Sequence, residues 1–211
     1  MSTPPFDLST ACAYVARRDR TLARVMKEVG PCRLEIAARQ SPYEALFESI
    51  VYQQLTGQAA ATIYARTCKL FGSRRCPRPD TVVDASIDLL RTAGLSRGKA
   101  TAIRDLAERA LDGSIPTRAK TEKLSDDEIV ERLTAVRGVG RWTVEMFLIF
   151  TLGRPDVLPV DDYGVKKGFA KTFGRRILPK PKELADHGER WRPYRTVASW
   201  YLWRALDSAE K

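Results

Sequence analysis

Two stretches of the chain carry residue types that could do chemistry on a polyanion. The first is Leu133-Thr134-Ala135-Val136-Arg137-Gly138-Val139-Gly140-Arg141-Trp142-Thr143. Two glycines one residue apart make a tight turn that side chains would obstruct. With no Cβ at Gly138 and Gly140, a phosphate can approach the backbone. The N–H groups opening the next helix then point at it with the helix dipole behind them, and Arg141 adds a charge-assisted bond. Alone, Gly-x-Gly matches many ordinary helix–helix turns. The second stretch is Leu158-Pro159-Val160-Asp161-Asp162-Tyr163-Gly164-Val165-Lys166-Lys167. A carboxylate there either caps a helix N-terminus or stabilises a developing positive charge, and two adjacent aspartates can fill both roles. Adjacent carboxylates point in different directions, so they do not flank one bond as a glycosidase pair does.

The elements that must position these residues read as helices nearly throughout. Apolar positions at helical spacing run over 8–29 and stop at Gly30-Pro31. Ser41-Pro42-Tyr43-Glu44 is a capping box with Pro at the first helical position. A third helix runs from about Gly57 to Gly72, the basic, Pro-rich 73–79 reads as a loop, and helices follow over 86–93 and 96–112. Ser125-Asp126-Asp127-Glu128 is a second capping box, opening a helix that ends near Val136. Arg141 to Leu152 is strongly apolar, a helix capped by Asp161 or Asp162 ends at Gly174, and the last long helix begins near Pro193. With no alternating strand pattern, the expected class is all-α.

Composition narrows the partners. Lys and Arg total 36 against 26 Asp and Glu, a formal net charge of +10, which makes polyanions natural partners. No apolar run approaches the roughly 20 residues of a spanning helix, and the opening Met-Ser-Thr-Pro-Pro-Phe-Asp does not read as a signal peptide. The expected location is the cytoplasm, or wherever the polyanionic partner is. Cys12, Cys32, Cys68 and Cys76 include no C-x-x-C pair, so neither a structural zinc nor an iron–sulfur cluster is expected; they read as buried free thiols. His187 is the only histidine and reads as a surface or capping residue.

Five ordered motifs together resemble the helix-hairpin-helix (HhH-GPD) DNA glycosylase superfamily, and within it the 3-methyladenine DNA glycosylase II (AlkA-like) branch. They are the hairpin with Trp142-Thr143; the Pro-x-Asp-Asp-Tyr segment; Tyr52-Gln53-Gln54-Leu55-Thr56-Gly57-Gln58; Gly94-Leu95-Ser96-Arg97-Gly98-Lys99-Ala100; and Arg190-Trp191-Arg192-Pro193-Tyr194-Arg195 followed by Trp200-Tyr201-Leu202-Trp203. The resemblance implies a single HhH-GPD domain over 1–211. A middle helical lobe would span about 36–149 and a second lobe about 1–35 plus 150–211, with the active-site cleft between them. The segment ahead of the first motif is too short for the N-terminal β-rich domain of that branch.

The resemblance also implies roles. Asp162 is the catalytic carboxylate, beside C1′ of the sugar, and Asp161 the helix cap. Trp142, Tyr163, Trp203, Gln54 and Met146 form the base pocket, while Trp191 and Trp200 read as core. Arg137, Gly138, Val139, Gly140, Arg141 and Thr143 contact DNA. Leu55 is a wedge that fills the vacated stack, though a core leucine fits the sequence nearly as well. The carbonyls of Thr134, Val136 and Val139 would hold a monovalent cation, Na+ or K+, with no other cofactor. Trp142 stands where bifunctional relatives such as endonuclease III carry a Schiff-base lysine, so the enzyme should release a base and leave an abasic site without lyase activity. Two residues depart from the pattern: Arg137 replaces the Pro usual before the first hairpin glycine, and Met146 stands where an aromatic is common. The expected function is excision of N3- or N7-alkylated purines from duplex DNA by a monomer with no membrane partner. The alternatives are an oxidised-purine or mismatch glycosylase and a non-catalytic hairpin module, and Asp162 with its aromatic neighbours argues against the last.

Overall fold

The computed structural model describes residues 2–207. The helices are α1 (Leu8–Arg18), α2 (Arg20–Val29), α3 (Pro42–Tyr52), α4 (Gly57–Leu70), α5 (Pro79–Val83), α6 (Ile87–Thr92), α7 (Arg97–Leu111), α8 (Arg118–Thr121), α9 (Asp126–Thr134), α10 (Arg141–Phe147), α11 (Tyr163–Thr172), α12 (Pro181–Gly188) and α13 (Arg195–Asp207). A π-helical turn (Leu148–Leu152) follows α10, and a 3-10 turn (Glu189–Trp191) precedes α13. Among the described residues the only β pairing is an isolated bridge between Ser2 and Ile36. The fold is all-α, and no described helix is long and apolar enough to cross a membrane.

Capping chemistry sets most helix starts. Both capping boxes form: Ser41 accepts from the Glu44 N–H while Glu44 reaches back to the Ser41 N–H, and Ser125 with Glu128 repeats the pattern. Ser86 and Ser96 cap α6 and α7 by the same Ser-to-N3 bond. Three short helices, α5, α8 and α12, lie outside the elements expected from sequence. α5 and α8 are only 5 and 4 residues long, and α12, at 8 residues, spans about two turns, so none repeats an apolar stripe often enough to register.

The expected continuous helix over 8–29 is two helices, broken at Asp19, which takes an extended conformation with φ of −143°. Neither Gly nor Pro marks the break. Asp19 Oδ1 instead caps α2, accepting from Thr21 N at 3.1 Å and Leu22 N at 3.0 Å. Its Oδ2 accepts from Trp191 Nε1 at 3.1 Å and lies 3.0 Å from His187 Nε2. His187 is therefore no surface residue. Its ring packs edge-on among Phe169, Phe173 and Trp191, with centroids 4.5–5.1 Å away. The cysteines also differ from expectation. All four are free, but only Cys68 is buried.

The chain divides into two compact units, one of Met1–Ala38 with Leu148–Lys211, the other of Arg39–Phe147. In the Arg39–Phe147 unit the core comprises Leu46, Phe47 and Ile50 of α3, Ile103 and Leu106 of α7, and Ile129 and Leu133 of α9, all fully buried. In the other unit Val15, Leu22, Phe169, Val197 and Leu202 are fully buried beside Trp191. Burying each such side chain is worth about 1.5–3 kcal/mol. Trp191 and Trp200 are core residues, as expected.

Candidate active site and hairpin

In the unit holding Asp162, the crossing of α11 with α13 decides the geometry. A Cβ on Gly168 would lie 1.9 Å from the Leu202 carbonyl oxygen, so the two backbones touch there and only glycine fits. One turn earlier, a Cβ on Gly164 would lie 2.9 Å from Trp203 Cδ1. These glycines at i and i+4 form a bare strip along α11 on which α13 lies. The Trp203 indole thereby comes over the first turn of α11, and its Nε1–H donates to Asp162 Oδ1 at 2.8 Å.

Asp162 is itself the N-cap of α11. It is extended, with φ of −65° and ψ of 124°, and Oδ1 also accepts from Val165 N at 2.7 Å. This corrects the division of labour expected between the two aspartates: Asp161 is exposed, and Asp162 both caps the helix and presents the carboxylate. The physical reason is spacing. A cap accepts from the N–H three residues on, and Val165 N stands at that distance from Asp162. Tyr163 beside it is 65% exposed.

Phe150 completes this group and was not singled out from sequence. Phe150 lies in the π-helical turn, and its carbonyl accepts from Ala37 N at 2.7 Å. Its ring packs on Trp203 with centroids 5.7 Å apart and a tilt of 31°. A π turn cannot be read from the apolar run that contains it, so only the aromatic residue type signalled this position.

In the Arg39–Phe147 unit the hairpin joins α9 to α10. Gly138 has φ of +75°, which L side chains adopt with strain, and a Cβ there would contact Ala102 of α7 at 3.5 Å. Gly140 differs: its φ is ordinary and a Cβ would meet nothing within 4 Å. The fold itself demands glycine at 138 but not at 140. Two bonds hold the turn from outside. Arg137 N donates to Asp105 Oδ2 at 2.7 Å, and Gly138 O accepts from Gln53 Nε2 at 3.0 Å. Asp105, also paired with Arg109 at 3.0 Å, gives the departure at Arg137 a consequence, since Pro has no N–H to donate. Thr143 and Val139 are buried and so brace the turn, whereas Arg137 and Arg141 are exposed.

Arg141 Nε pairs with Glu145 Oε1 at 3.0 Å, its own side chain being 61% exposed and that of Glu145 only 7%. Glu145 thus anchors the guanidinium root beside the hairpin. Trp142 is 47% exposed, and Met146 on the same face of α10 is half-buried. Across the turn from α3, Gln54 and Leu55 are exposed, Leu55 by 39%, which sets Leu55 apart from a core leucine. Gln53 and Asp105 carry no sequence signature because each acts through a partner distant in sequence, whereas Glu145 pairs within its own helix, one turn from Arg141. As for the expected cation, the Val136 carbonyl already accepts from Val139 N at 3.1 Å. A carbonyl oxygen keeps a second lone pair, so the three carbonyls remain a compatible donor set of hard oxygens.

Comparison with known proteins matches residues 47–193 to the HhH-GPD superfamily of base excision DNA repair proteins. The chain is 35% identical to DNA-3-methyladenine glycosylase 1 of Schizosaccharomyces pombe, covering 96% of this chain and 90% of that protein. Among solved structures, that organism's 3-methyladenine DNA glycosylase in complex with abasic DNA superposes with a TM-score of 0.81 at 35% identity, covering 92% of this chain and 95% of that one. A DNA-3-methyladenine glycosidase from Bacillus halodurans superposes with a TM-score of 0.85, also at 35% identity, over 95% of this chain and 91% of the other.

Proposed function

The chain belongs to the HhH-GPD superfamily of base excision DNA repair proteins, and on that premise we propose that it is a monofunctional DNA glycosylase removing alkylated purines from duplex DNA. The observation that carries this reading is Asp162, whose Oδ1 is held by the Val165 N–H and the Trp203 indole N–H. A carboxylate oriented by two donors and flanked by aromatic rings suits an oxocarbenium-like transition state, and a helix cap alone needs neither the indole nor the rings. The names of the relatives, DNA-3-methyladenine glycosylases at 35% identity, support the alkylpurine substrate.

In the reaction, the target nucleotide leaves the stack. The C1′–N bond breaks with its electron pair going to the base. Alkylation has made that base cationic, so it departs neutral without a strong general acid. Asp162 opposes the positive charge left on the sugar. Water then adds to C1′ and gives up a proton, for which Asp162 is the nearby acceptor. Trp142, Tyr163, Trp203, Met146 and Gln54 are the residues we assign to the base, since an aromatic face attracts a cationic ring. Leu55 fills the vacated stack. The hairpin backbone, with Arg137 and Arg141, grips phosphates, and the Thr134, Val136 and Val139 carbonyls would hold a structural monovalent cation. Trp142 supplies no amine where a lyase needs one, so the product is an intact strand bearing an abasic site. The protein acts where the DNA is, as a monomer.

The test is a panel of single-lesion duplexes with released bases identified by mass, each run with and without alkali and with borohydride. Free N-alkylpurine and strand breaks appearing only after alkali are expected. A trapped covalent complex, or nicking before alkali, would overturn the monofunctional assignment. Release of oxidised or mismatched bases alone would overturn the substrate class.

A further inference from the structure

Within the Arg39–Phe147 unit, the turn between α3 and α4 holds a conformation its own residues do not favour. Gln54 has φ of +56°, the only non-glycine residue with positive φ among those described. The left-handed region costs a side-chain-bearing residue about 1 kcal/mol or more, so something outside the turn must hold it there. Glycine would remove that cost, yet a glutamine occupies the position. The next residue is the exposed Leu55, whose N–H donates to Tyr52 O at 3.3 Å.

The hold comes from Lys99. Its Nζ donates to Val51 O at 2.7 Å and to Gln53 O at 2.6 Å, the carbonyls on either side of the end of α3. The placement is otherwise unfavourable for a lysine. Lys99 lies in the first turn of α7, where its own N–H is capped by Ser96 and the helix dipole repels a cation. Its ammonium is partly buried, and that desolvation pulls its pKa below the ordinary lysine value. The negative end of α3 compensates both penalties. In a protein with a formal charge of +10, most cations can face phosphate; this one is turned inward onto two backbone oxygens. The same turn is tied a second time, by Gln53 Nε2 donating to the hairpin carbonyl of Gly138.

We propose that Lys99 is a positioning residue for base extrusion: by holding the Val51 and Gln53 carbonyls it keeps Gln54 left-handed and Leu55 presented as the wedge, and through Gln53 it registers the wedge to the phosphate-binding hairpin. This rests on the glycosylase reading above. Lys99 touches neither base nor phosphate; it acts through the backbone of the turn.

The experiment uses the full chain and a duplex carrying one N7-methylguanine beside 2-aminopurine, whose fluorescence rises when its neighbour unstacks. Lys99→Met, Lys99→Arg, Leu55→Ala and the double variant Lys99→Met/Leu55→Ala are compared with the wild type, with thermal melting in parallel. Lys99→Met should lose the fluorescence rise and slow single-turnover excision by roughly ten- to a hundredfold. Its affinity for undamaged duplex should stay within about twofold, since that affinity rests on backbone contacts. Lys99→Arg, which can still donate to both carbonyls, should recover much of the signal. The double variant should be no worse than Leu55→Ala, because the lysine has no purpose without the wedge. Additive losses in the double variant, or a normal fluorescence rise with Lys99→Met, would overturn the proposal. Should Lys99→Met not fold, Lys99→Gln, with an amide donor on a shorter stem, carries the same comparison. Wild-type protein that unstacks the duplex but releases no base would overturn the glycosylase reading, while the fluorescence of the variants would still decide the role of Lys99.

Discussion

Asp162 caps α11 and is also the carboxylate proposed for the reaction, so its variants separate chemistry from folding. Asn caps helices as well as Asp does, and its amide oxygen can still accept from Val165 N and Trp203 Nε1. Asp162→Asn should therefore fold and bind DNA, somewhat more tightly because a carboxylate no longer opposes the phosphates. Single-turnover excision should fall by about a hundredfold or more, roughly 2.7 kcal/mol of lost transition-state stabilisation. Asp161→Asn removes an exposed charge that caps nothing, and its excision rate should stay near wild type. An active Asp162→Asn enzyme would remove the carboxylate from the mechanism.

At the scale of the element, the two hairpin glycines make a matched pair of experiments. Gly138 is required by its φ of +75° and Gly140 by nothing in the protein, since a Cβ there enters open space. Gly138→Ala should cost about 1 kcal/mol or more of stability through backbone strain. Gly140→Ala should leave the melting temperature unchanged, yet weaken binding to damaged and undamaged duplex alike, because the added methyl stands where a phosphate would reach the backbone. Melting curves and salt-dependent binding isotherms check both. Unaltered binding by a folded Gly140→Ala would mean that the open space beside Gly140 is not used by DNA. The α11–α13 crossing works on the same principle from the inside. There Gly164 and Gly168 are empty so that another part of the same unit can fill the space, and Trp203 reaches Asp162 as a result.

For the whole molecule, stability should depend on pH through Asp19. Burial works against its charge, but the bonds from His187, Leu22 N–H and Trp191 outweigh burial and hold its carboxyl below the ordinary carboxylate value. A group with a depressed folded pKa contributes stability that is fully present above its unfolded value, near 3.8, and lost as pH falls through the folded value. Wild-type stability should thus be level from neutral pH down to about 5 and decline below about 4. Asp19→Ala would leave the α2 cap N–H groups and the Trp191 indole without their acceptor, at a cost of about 2–4 kcal/mol near neutral pH. Denaturant melts of both proteins across this range should show the gap narrowing in acid. A gap independent of pH would mean that the Asp19 charge contributes nothing.

What the sequence determined by itself was whatever depends on neighbours along the chain. The capping boxes at Ser41 and Ser125, the Gly138-x-Gly140 turn and the all-α class follow from local periodicity and cap chemistry, whereas the choice of Asp162 over Asp161 came from the family resemblance alone. Tertiary structure alone decided what depends on pairs far apart in sequence. Asp19 breaks a helix because His187 and Trp191 bond it from the other end of the chain. The cap fell to Asp162 instead of Asp161 because the turn after Pro159 aims that oxygen at Val165 N, where α13 also delivers Trp203. Lys99, Gln53 and Asp105 are ordinary polar residues in one dimension. They find their partners only when α7 carries Lys99 and Asp105, and the end of α3 carries Gln53, to the carbonyls and N–H groups of neighbouring turns. Side-chain bonds to distant backbone leave no period or motif in a single sequence, and that is why this layer of the site was invisible there.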